Sequence, residues 1–157
     1  MKISFKINGY QYSKEVSANM SLVTFLRDVL DLTGTKHACD GGECGACTIL
    51  LDGVPVNACL MLAPAIRDRE VTTIEGLAEN GELHPLQKSF AENSALQCGY
   101  CGSGMLLTAK AFLEKSPDPT REEVKMALSG NLCRCTGYVG IVDAVLAAAK
   151  DIQGEVL

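Results

Sequence analysis

Cysteine is the residue type whose number and placement suggest chemistry in this sequence. The chain has eight cysteines among its 157 residues. Thiolates at short spacings are typical metal ligands. The cysteines divide evenly into two sets, Cys39, Cys44, Cys47 and Cys59 in the first half and Cys98, Cys101, Cys133 and Cys135 in the second. We therefore predict two metal sites, each with four cysteine ligands.

Disulfide bonding is the main alternative use of so many cysteines. The N-terminal MKISFKING lacks the apolar stretch and the cleavage site of a secretory signal, and no segment is apolar for long enough to form a membrane helix. We therefore expect a protein of the cytoplasm with no membrane attachment. Disulfides are rare in that compartment. Cys133 and Cys135 are also too close in the chain to bridge each other easily.

The first set has the more specific spacing, C-x4-C-x2-C-x11-C. Its first three cysteines match the spacing that holds a [2Fe–2S] cluster in plant-type ferredoxins. Gly41, Gly42 and Gly45 lie among them, and glycine allows the sharp turns that leave backbone amides free to bond sulfur. We interpret this set as an iron–sulfur site, with zinc binding and inert buried thiols as less favoured alternatives.

The second set, C-x2-C-x31-C-x-C, is less specific. Its first pair directly precedes an apolar stripe that begins near Met105, and its second pair precedes the last predicted helix. Two helix N-termini would then converge on one site, and their positive ends favour an anionic group. The spacing favours an iron–sulfur cluster and leaves a zinc–tetrathiolate open.

The elements around the first set read as an α+β unit. Alternating apolar residues over 3–12 predict a β-hairpin. An apolar stripe from Leu22 to Leu30 predicts a helix that Ser21 caps and Gly34 ends. Further strands are predicted over residues 48–51, 54–60 and 71–74. The unit covers residues 1–76.

The elements around the second set read as helices. The polar AENGELHP follows Gly76 and separates the two patterns. Four helices are predicted, beginning at Pro85, around the stripe Met105–Leu113, at Thr120 with Glu123 as a capping box, and around the stripe Ile141–Ala148. They predict a small four-helix bundle over residues 77–157.

Other functions find little support in the composition. The formal charge is −5 and no basic run occurs, so nucleic-acid binding is not expected. His37 and His84 are isolated and are expected to be surface or capping residues. No carboxylate spacing marks an acid/base pair, so we predict no catalytic residue and no substrate site in this chain.

Four segments, DGGECGACTILLDGVPVNAC, HPLQ, QCGYCGSGM and GNLCRCTGY, occur in this order. Together they resemble the small iron–sulfur subunit of the molybdenum hydroxylases, the xanthine oxidase family. The resemblance spans nearly the whole chain and matches all eight cysteines. One departure is Gly102-Ser103, where the family commonly has Thr-Pro.

This resemblance implies a plant-type ferredoxin-like β-grasp domain followed by a helical [2Fe–2S]-binding domain. It implies two clusters that relay electrons from a molybdopterin centre on a large partner subunit to FAD on a further subunit. Gln97 matches a glutamine that contacts the pterin, and Cys135 matches a ligand that lies close to it. The chain would then serve an oxidoreductase complex acting on CH or CH2 groups.

The resemblance also indicates the reaction, which hydroxylates a carbon with oxygen from water. The substrate class it favours is an N-heterocycle such as nicotinate or a purine. The runner-up function is a stand-alone two-cluster ferredoxin, and the Gln97 motif favours the subunit over it. A zinc-stapled interaction module is the third alternative.

Overall fold

The first half of the chain forms five strands, β1 (Lys2–Ile7), β2 (Tyr10–Glu15), β3 (Thr48–Leu51), β4 (Val54–Asn57) and β5 (Glu70–Thr72). They make a mixed sheet in the order β2-β1-β5-β3-β4. The computed structural model describes residues 1–154, so the last three residues of the predicted helical domain, 155–157, lie outside the described residues. Strand β1 runs parallel to β5, and the other neighbours are antiparallel.

The β1–β2 hairpin follows the predicted pattern. Asn8 and Gly9 form its turn with φ angles of 50° and 83°, the left-handed conformation that a tight primed turn requires. Ile3, Phe5 and Ile7 alternate into the core, where they are at most 3% exposed. The hairpin therefore supplies one wall of the core beneath the first cysteine loop.

The predicted helix begins as expected and ends early. Helix α1 (Leu22–Thr24) continues as a π-helical turn over Phe25–Val29, and the Ser21 hydroxyl accepts a hydrogen bond from the Thr24 amide at 3.2 Å. The predicted end at Gly34 is wrong, because Asp31 already takes a left-handed φ of 58°. Gly34 instead lacks a side chain because a Cβ there would lie 2.3 Å from Ile74.

Two predicted strands are shorter in the structure. The strand predicted over 54–60 ends at Asn57, where a 3-10 turn over Ala58–Leu60 begins. The strand predicted over 71–74 spans Glu70–Thr72 and is followed by a 3-10 turn over Ile74–Gly76. The first of these turns carries Cys59 back toward the cysteine loop.

The second half of the chain is helical, as predicted. His84 and Gln87 form a capping box at the start of α2, and Thr120 and Glu123 form the predicted box at the start of α4. None of the helices in residues 1–154 is long and apolar enough to cross a membrane. The helices are α2 (Pro85–Glu92), α3 (Gly102–Leu113), α4 (Arg121–Ala127) and α5 (Val139–Gly154).

Helix α3 joins the two halves by packing on β3. Leu50 of β3 is buried together with Leu107 and Ala111 of α3. The approach is close at Gly104, where a Cβ would lie 2.2 Å from the Gly45 carbonyl oxygen. The predicted domain boundary at residue 76 stays a prediction; β5 ends at Thr72 and α2 begins at Pro85.

Candidate metal centres

The first cysteine set lies on the long loop before β3 and on the turn after β4. The structure brings its members together in two pairs. The Cys44 amide donates to the Cys39 sulfur at 3.5 Å, and the two thiols also hydrogen-bond each other. The Cys59 amide donates to the Cys47 sulfur at 3.4 Å, and these thiols likewise interact. Cys39 is exposed, whereas Cys47 is buried.

The exposed and the buried cysteine of this set have pKa values shifted in opposite directions. The amides of Cys44 and Gly41 lower the pKa of Cys39 from 9.0 to about 6, since they hydrogen-bond its thiolate. Burial raises the pKa of Cys47 to about 12. The exposed end of the loop thus already stabilises a negative sulfur before any metal binds.

Backbone turns shape this loop at three positions. Gly42 and Gly45 have φ angles of 74° and 69°, and Asp40 has 55°. The expectation that Gly41 also supplies an unusual φ is wrong, because Asp40 makes that turn instead. A Cβ at Gly42 would lie 2.3 Å from the Leu60 side chain, so Leu60 packs directly over the loop.

The second cysteine set lies at two helix starts, as predicted. Cys98 and Cys101 precede α3, and Cys133 and Cys135 lie in the turn before α5. These residues also form two pairs. The Cys135 and Cys98 sulfurs are 3.5 Å apart, and the thiols of Cys101 and Cys133 hydrogen-bond each other.

Burial and local hydrogen bonds shift the pKa values of this set in opposite directions. Burial raises the pKa of Cys101 to about 12. The Tyr100 amide lowers the pKa of the exposed Cys98, and the neighbouring Cys98 thiol raises that of Cys135. Burial alone would raise the pKa of Cys133, but hydrogen bonds from Thr136, the Cys135 amide and the Cys101 thiol together outweigh it and lower that pKa.

The paired arrangement fits a two-iron cluster at each site. A [2Fe–2S] cluster takes four cysteine thiolates, two on each iron. A single zinc ion would need four thiolates around one point. Within residues 1–154, no three cysteine, histidine, aspartate or glutamate side chains converge as ligands of one metal ion. All eight cysteines are free thiols, so none is used in a disulfide.

The two cysteine loops contact each other directly. The Leu132 amide donates to the Cys44 carbonyl at 2.9 Å. The buried Asn131 amide donates to the Gly45 carbonyl at 3.1 Å. The Tyr100 hydroxyl donates to the His37 carbonyl at 2.6 Å. The two sets therefore belong to one continuous region of the molecule.

Sequence reasoning missed the residues that make these contacts. Asn131 and Tyr100 lie inside the cysteine motifs, in GNLCRC and CGYC. Their position between or beside the cysteines was the available signal. Nothing in the spacing, however, indicates that their side chains reach across to the other loop.

The remaining predicted residues occupy separate positions. Gln97 is exposed beside Cys98. His84 caps α2 through its Nδ1, which accepts from the Leu86 amide at 3.2 Å, so the expected capping role is confirmed. His37 is exposed and pairs with Asp40.

Comparison with known proteins resolves what these sites belong to. The family described as 2Fe-2S iron-sulfur cluster binding domain matches residues 5–73, and that described as [2Fe-2S] binding domain matches residues 73–146. The nicotinate dehydrogenase small FeS subunit of Eubacterium barkeri is 49% identical over 94% of this chain and 94% of the relative. The chain belongs to the small iron–sulfur subunits of the molybdenum hydroxylases.

Other members of this iron–sulfur subunit family agree in sequence and fold. The nicotine 6-hydroxylase small subunit of Paenarthrobacter nicotinovorans is 49% identical over 99% of this chain and 93% of its own. The crystal structure of quinoline 2-oxidoreductase from Pseudomonas putida 86 matches with a TM-score of 0.95 and 47% identity, covering 98% of this chain and 96% of that chain. The expected fold, a ferredoxin-like domain with a helical domain, is confirmed.

Membership in this subunit family also fixes the general role. The iron–sulfur subunit carries two [2Fe–2S] clusters and transfers electrons within a multi-subunit oxidoreductase complex. This decides against the zinc-stapled module and the stand-alone carrier that the sequence left open.

Proposed function

We propose that this subunit relays electrons from a molybdopterin centre on a large partner subunit to FAD on a further partner. The helical half faces the molybdenum subunit, and the first half faces the flavin subunit. Each cluster, when bound, accepts and passes on one electron at a time. The chain's own residues hold the clusters, set their environment and present them to the partners.

All eight cysteines act as ligands in this proposal, and each contacting pair holds one iron. The first cluster is held by the pairs Cys39/Cys44 and Cys47/Cys59. The second is held by the pairs Cys98/Cys135 and Cys101/Cys133. Because the thiols of Cys47 and Cys101 have pKa values of about 12, cluster binding must displace their protons.

The hydrogen bond between Leu132 and Cys44 carries the proposal. Leu132 is bonded covalently to Cys133, a ligand of the second cluster, and its amide is 2.9 Å from the carbonyl of Cys44, a ligand of the first. One residue and one hydrogen bond therefore separate a ligand of each cluster. Such a short bonded connection suits electron transfer between the two sites.

The exposed residues at each end of the molecule support the proposed contacts with the two partner subunits. Cys98, Cys135 and Gln97 lie together at the surface of the helical half. A glutamine amide both donates and accepts hydrogen bonds, which suits the edge of a pterin. Gln97 would contact the pterin and Cys135 would be the ligand nearest to it. At the other end the exposed Cys39 faces the flavin subunit.

The names of the relatives favour an N-heterocyclic substrate. The nicotinate and nicotine enzymes are each represented by a 49% identical subunit, and an aldehyde oxidoreductase subunit of Escherichia coli is 40% identical. Hydroxylation with water-derived oxygen would occur on the large partner, which holds the catalytic residues. We place the complex in the cytoplasm, with no membrane or nucleic-acid partner.

Two serine variants of the assembled complex test the order of the relay. In Cys44→Ser, substrate should still reduce the second cluster, whereas flavin reduction should stop. In Cys98→Ser, substrate should reduce neither the first cluster nor the flavin, although the first cluster is still assembled. Rapid-freeze EPR and flavin absorbance follow each centre. Flavin reduction at the wild-type rate in Cys44→Ser would overturn the proposed order.

A further inference from the structure

The turn between Cys135 and α5 has an unusual backbone. Gly137 and Tyr138 take φ angles of 67° and 70° in succession. The left-handed region suits glycine but is unfavourable for a bulky tyrosine, and such residues persist only where surrounding contacts hold them. A strained residue beside two candidate ligands suggests that this turn does more than connect the loop to the helix.

Tyr138 is held by four contacts. Its hydroxyl oxygen accepts a hydrogen bond from the Cys133 amide at 2.8 Å. Its carbonyl accepts from the Val142 amide at 3.0 Å, which joins it to the first turn of α5. Its ring packs on the helical core. Its own amide donates to the Thr136 hydroxyl oxygen at 3.2 Å.

The Thr136 hydroxyl that accepts from the Tyr138 amide also contacts a cysteine sulfur. The Thr136 hydroxyl oxygen lies 3.2 Å from the Cys133 sulfur. A metal-bound cysteine is a thiolate and has no proton to give. The hydroxyl therefore must be the donor, and its oxygen remains available to accept from the Tyr138 amide. The strained backbone of Tyr138 thus holds the Thr136 hydroxyl with its proton directed at the sulfur.

We propose that Thr136 donates a hydrogen bond to the Cys133 sulfur that raises the reduction potential of the second cluster. The inference rests on the proposed role of Cys133 as a cluster ligand. Reduction adds negative charge to the cluster and its sulfurs, and a donor on a ligand sulfur stabilises that charge. The Thr136 and Cys135 amides also hydrogen-bond this sulfur, and both remain when only the Thr136 side chain is changed.

The test is a redox titration of the whole complex, followed by EPR, with Thr136→Val. Valine keeps the branched shape and removes the donor. The equilibrium for reducing the second cluster should become less favourable by about tenfold, which is 59 mV for a one-electron couple. The first cluster should keep its potential and serves as the internal reference. Thr136→Ser, which retains the hydroxyl, should restore the wild-type value.

Unchanged potential of the second cluster in Thr136→Val, with both clusters present, overturns the inference. If valine prevents assembly, Thr136→Ala carries the same measurement because it cannot overpack the turn. Loss of the second cluster from both variants, but not from Thr136→Ser, would also overturn it, since the hydroxyl would then be structural. Absence of the second cluster's signal from the wild-type complex would instead contradict the proposed function itself.

Discussion

The backbone amide of Leu132 donates a hydrogen bond to the carbonyl oxygen of Cys44 across the boundary between the two halves, at 2.9 Å. The Leu132 side chain is 55% exposed, so its contribution here comes from the backbone. The separation of the two cysteine sets is consequently fixed by main-chain geometry. Substitutions that disturb this contact should affect both sites at once.

Asn131 is the side chain that secures this contact. It is 4% exposed, and its amide donates to Gly45, with Thr48 also within 3.4 Å. Asn131→Ala would remove one of three hydrogen bonds to the Gly45 carbonyl, which keeps the Thr48 amide and hydroxyl as donors, so the free energy of unfolding should fall by about 0.5–1.5 kcal/mol. Calorimetry should show a decrease in Tm of about 2–4 °C for each kcal/mol.

Asn19→Ala is the matched control for that variant. Asn19 is exposed and bonds only to the nearby Ser17 hydroxyl among the contacts described for residues 1–154. Its removal should change the free energy of unfolding by no more than about 0.5 kcal/mol. Equal Tm values for the two variants would contradict the role given to Asn131.

Gly104 tests the close packing between α3 and the first loop. Gly104→Ala should add helix propensity of about 1 kcal/mol, but its Cβ would lie 2.2 Å from the Gly45 carbonyl. Since this backbone cannot move without disturbing the loop, overpacking should dominate and destabilise the protein by about 1–3 kcal/mol. Iron content of the first site should fall as well.

Gly130→Ala provides the control for packing. No atom lies within 4 Å of a Cβ at Gly130, and its φ is not left-handed. This variant should keep wild-type Tm and iron content. Wild-type behaviour of Gly104→Ala, measured by the same two methods, would mean that α3 and the loop tolerate a wider separation.

Sequence patterns predicted the elements of the fold better than the contacts between them. The capping box at Thr120 and the hairpin at Asn8-Gly9 depend on residues close in sequence, so both were predictable. The end of α1 was not, because an aspartate rather than a glycine takes the left-handed conformation there, and the Leu32 amide then bonds back to the Leu26 carbonyl at 2.8 Å. Gly34 looked like a helix terminator but is small because Ile74 packs against it.

At the candidate sites, too, the positions of the cysteines were easier to predict than the contacts between them. Cysteine spacing predicted the two sets and their approximate elements. It did not predict which thiols pair, since Cys98 and Cys135 are 37 positions apart in the chain and meet only through the packing of the helical half. The backbone of the Thr136–Tyr138 turn could not be predicted either, because no sequence pattern indicates a tyrosine with a left-handed φ.

Chemical labelling of the cluster-free chain tests the two electrostatic environments in the first loop. With a pKa of about 6, Cys39 is mostly thiolate at pH 7, whereas Cys47, with a pKa of about 12, is a thiol. Iodoacetamide should therefore modify Cys39 before Cys47. The rate of Cys39 modification should rise as the pH increases through about 6 and then level off. Mass spectrometry of timed digests gives the order.

The cluster-loaded protein is the control for labelling. Binding to iron should protect Cys39 and Cys47 alike. If Cys47 reacted first in the cluster-free chain, the amides of the loop would not be stabilising the Cys39 thiolate as the structure indicates. Reaction of Cys39 in the loaded protein at the cluster-free rate would argue against its role as a ligand.

A variant at Gln97 tests the proposed contact with the molybdopterin of the partner subunit. Gln97→Ala should leave both clusters assembled and slow substrate-driven reduction of the second cluster by about tenfold, the effect of losing an interaction of about 1.4 kcal/mol. Gln11→Ala, at an exposed position of β2, should have no effect. Loss of the second cluster in Gln97→Ala would show that Gln97 supports the loop instead.

This chain carries two [2Fe–2S] clusters, and we assign one to each set of paired cysteines. Low-temperature EPR of the anaerobically purified, dithionite-reduced protein, with spins counted per chain, is the decisive measurement. Two distinct S = 1/2 signals of about one spin each are expected, because each reduced cluster carries one unpaired electron. A single signal would contradict this assignment, leaving the first site as the ferredoxin-type centre and removing the cluster from the helical half.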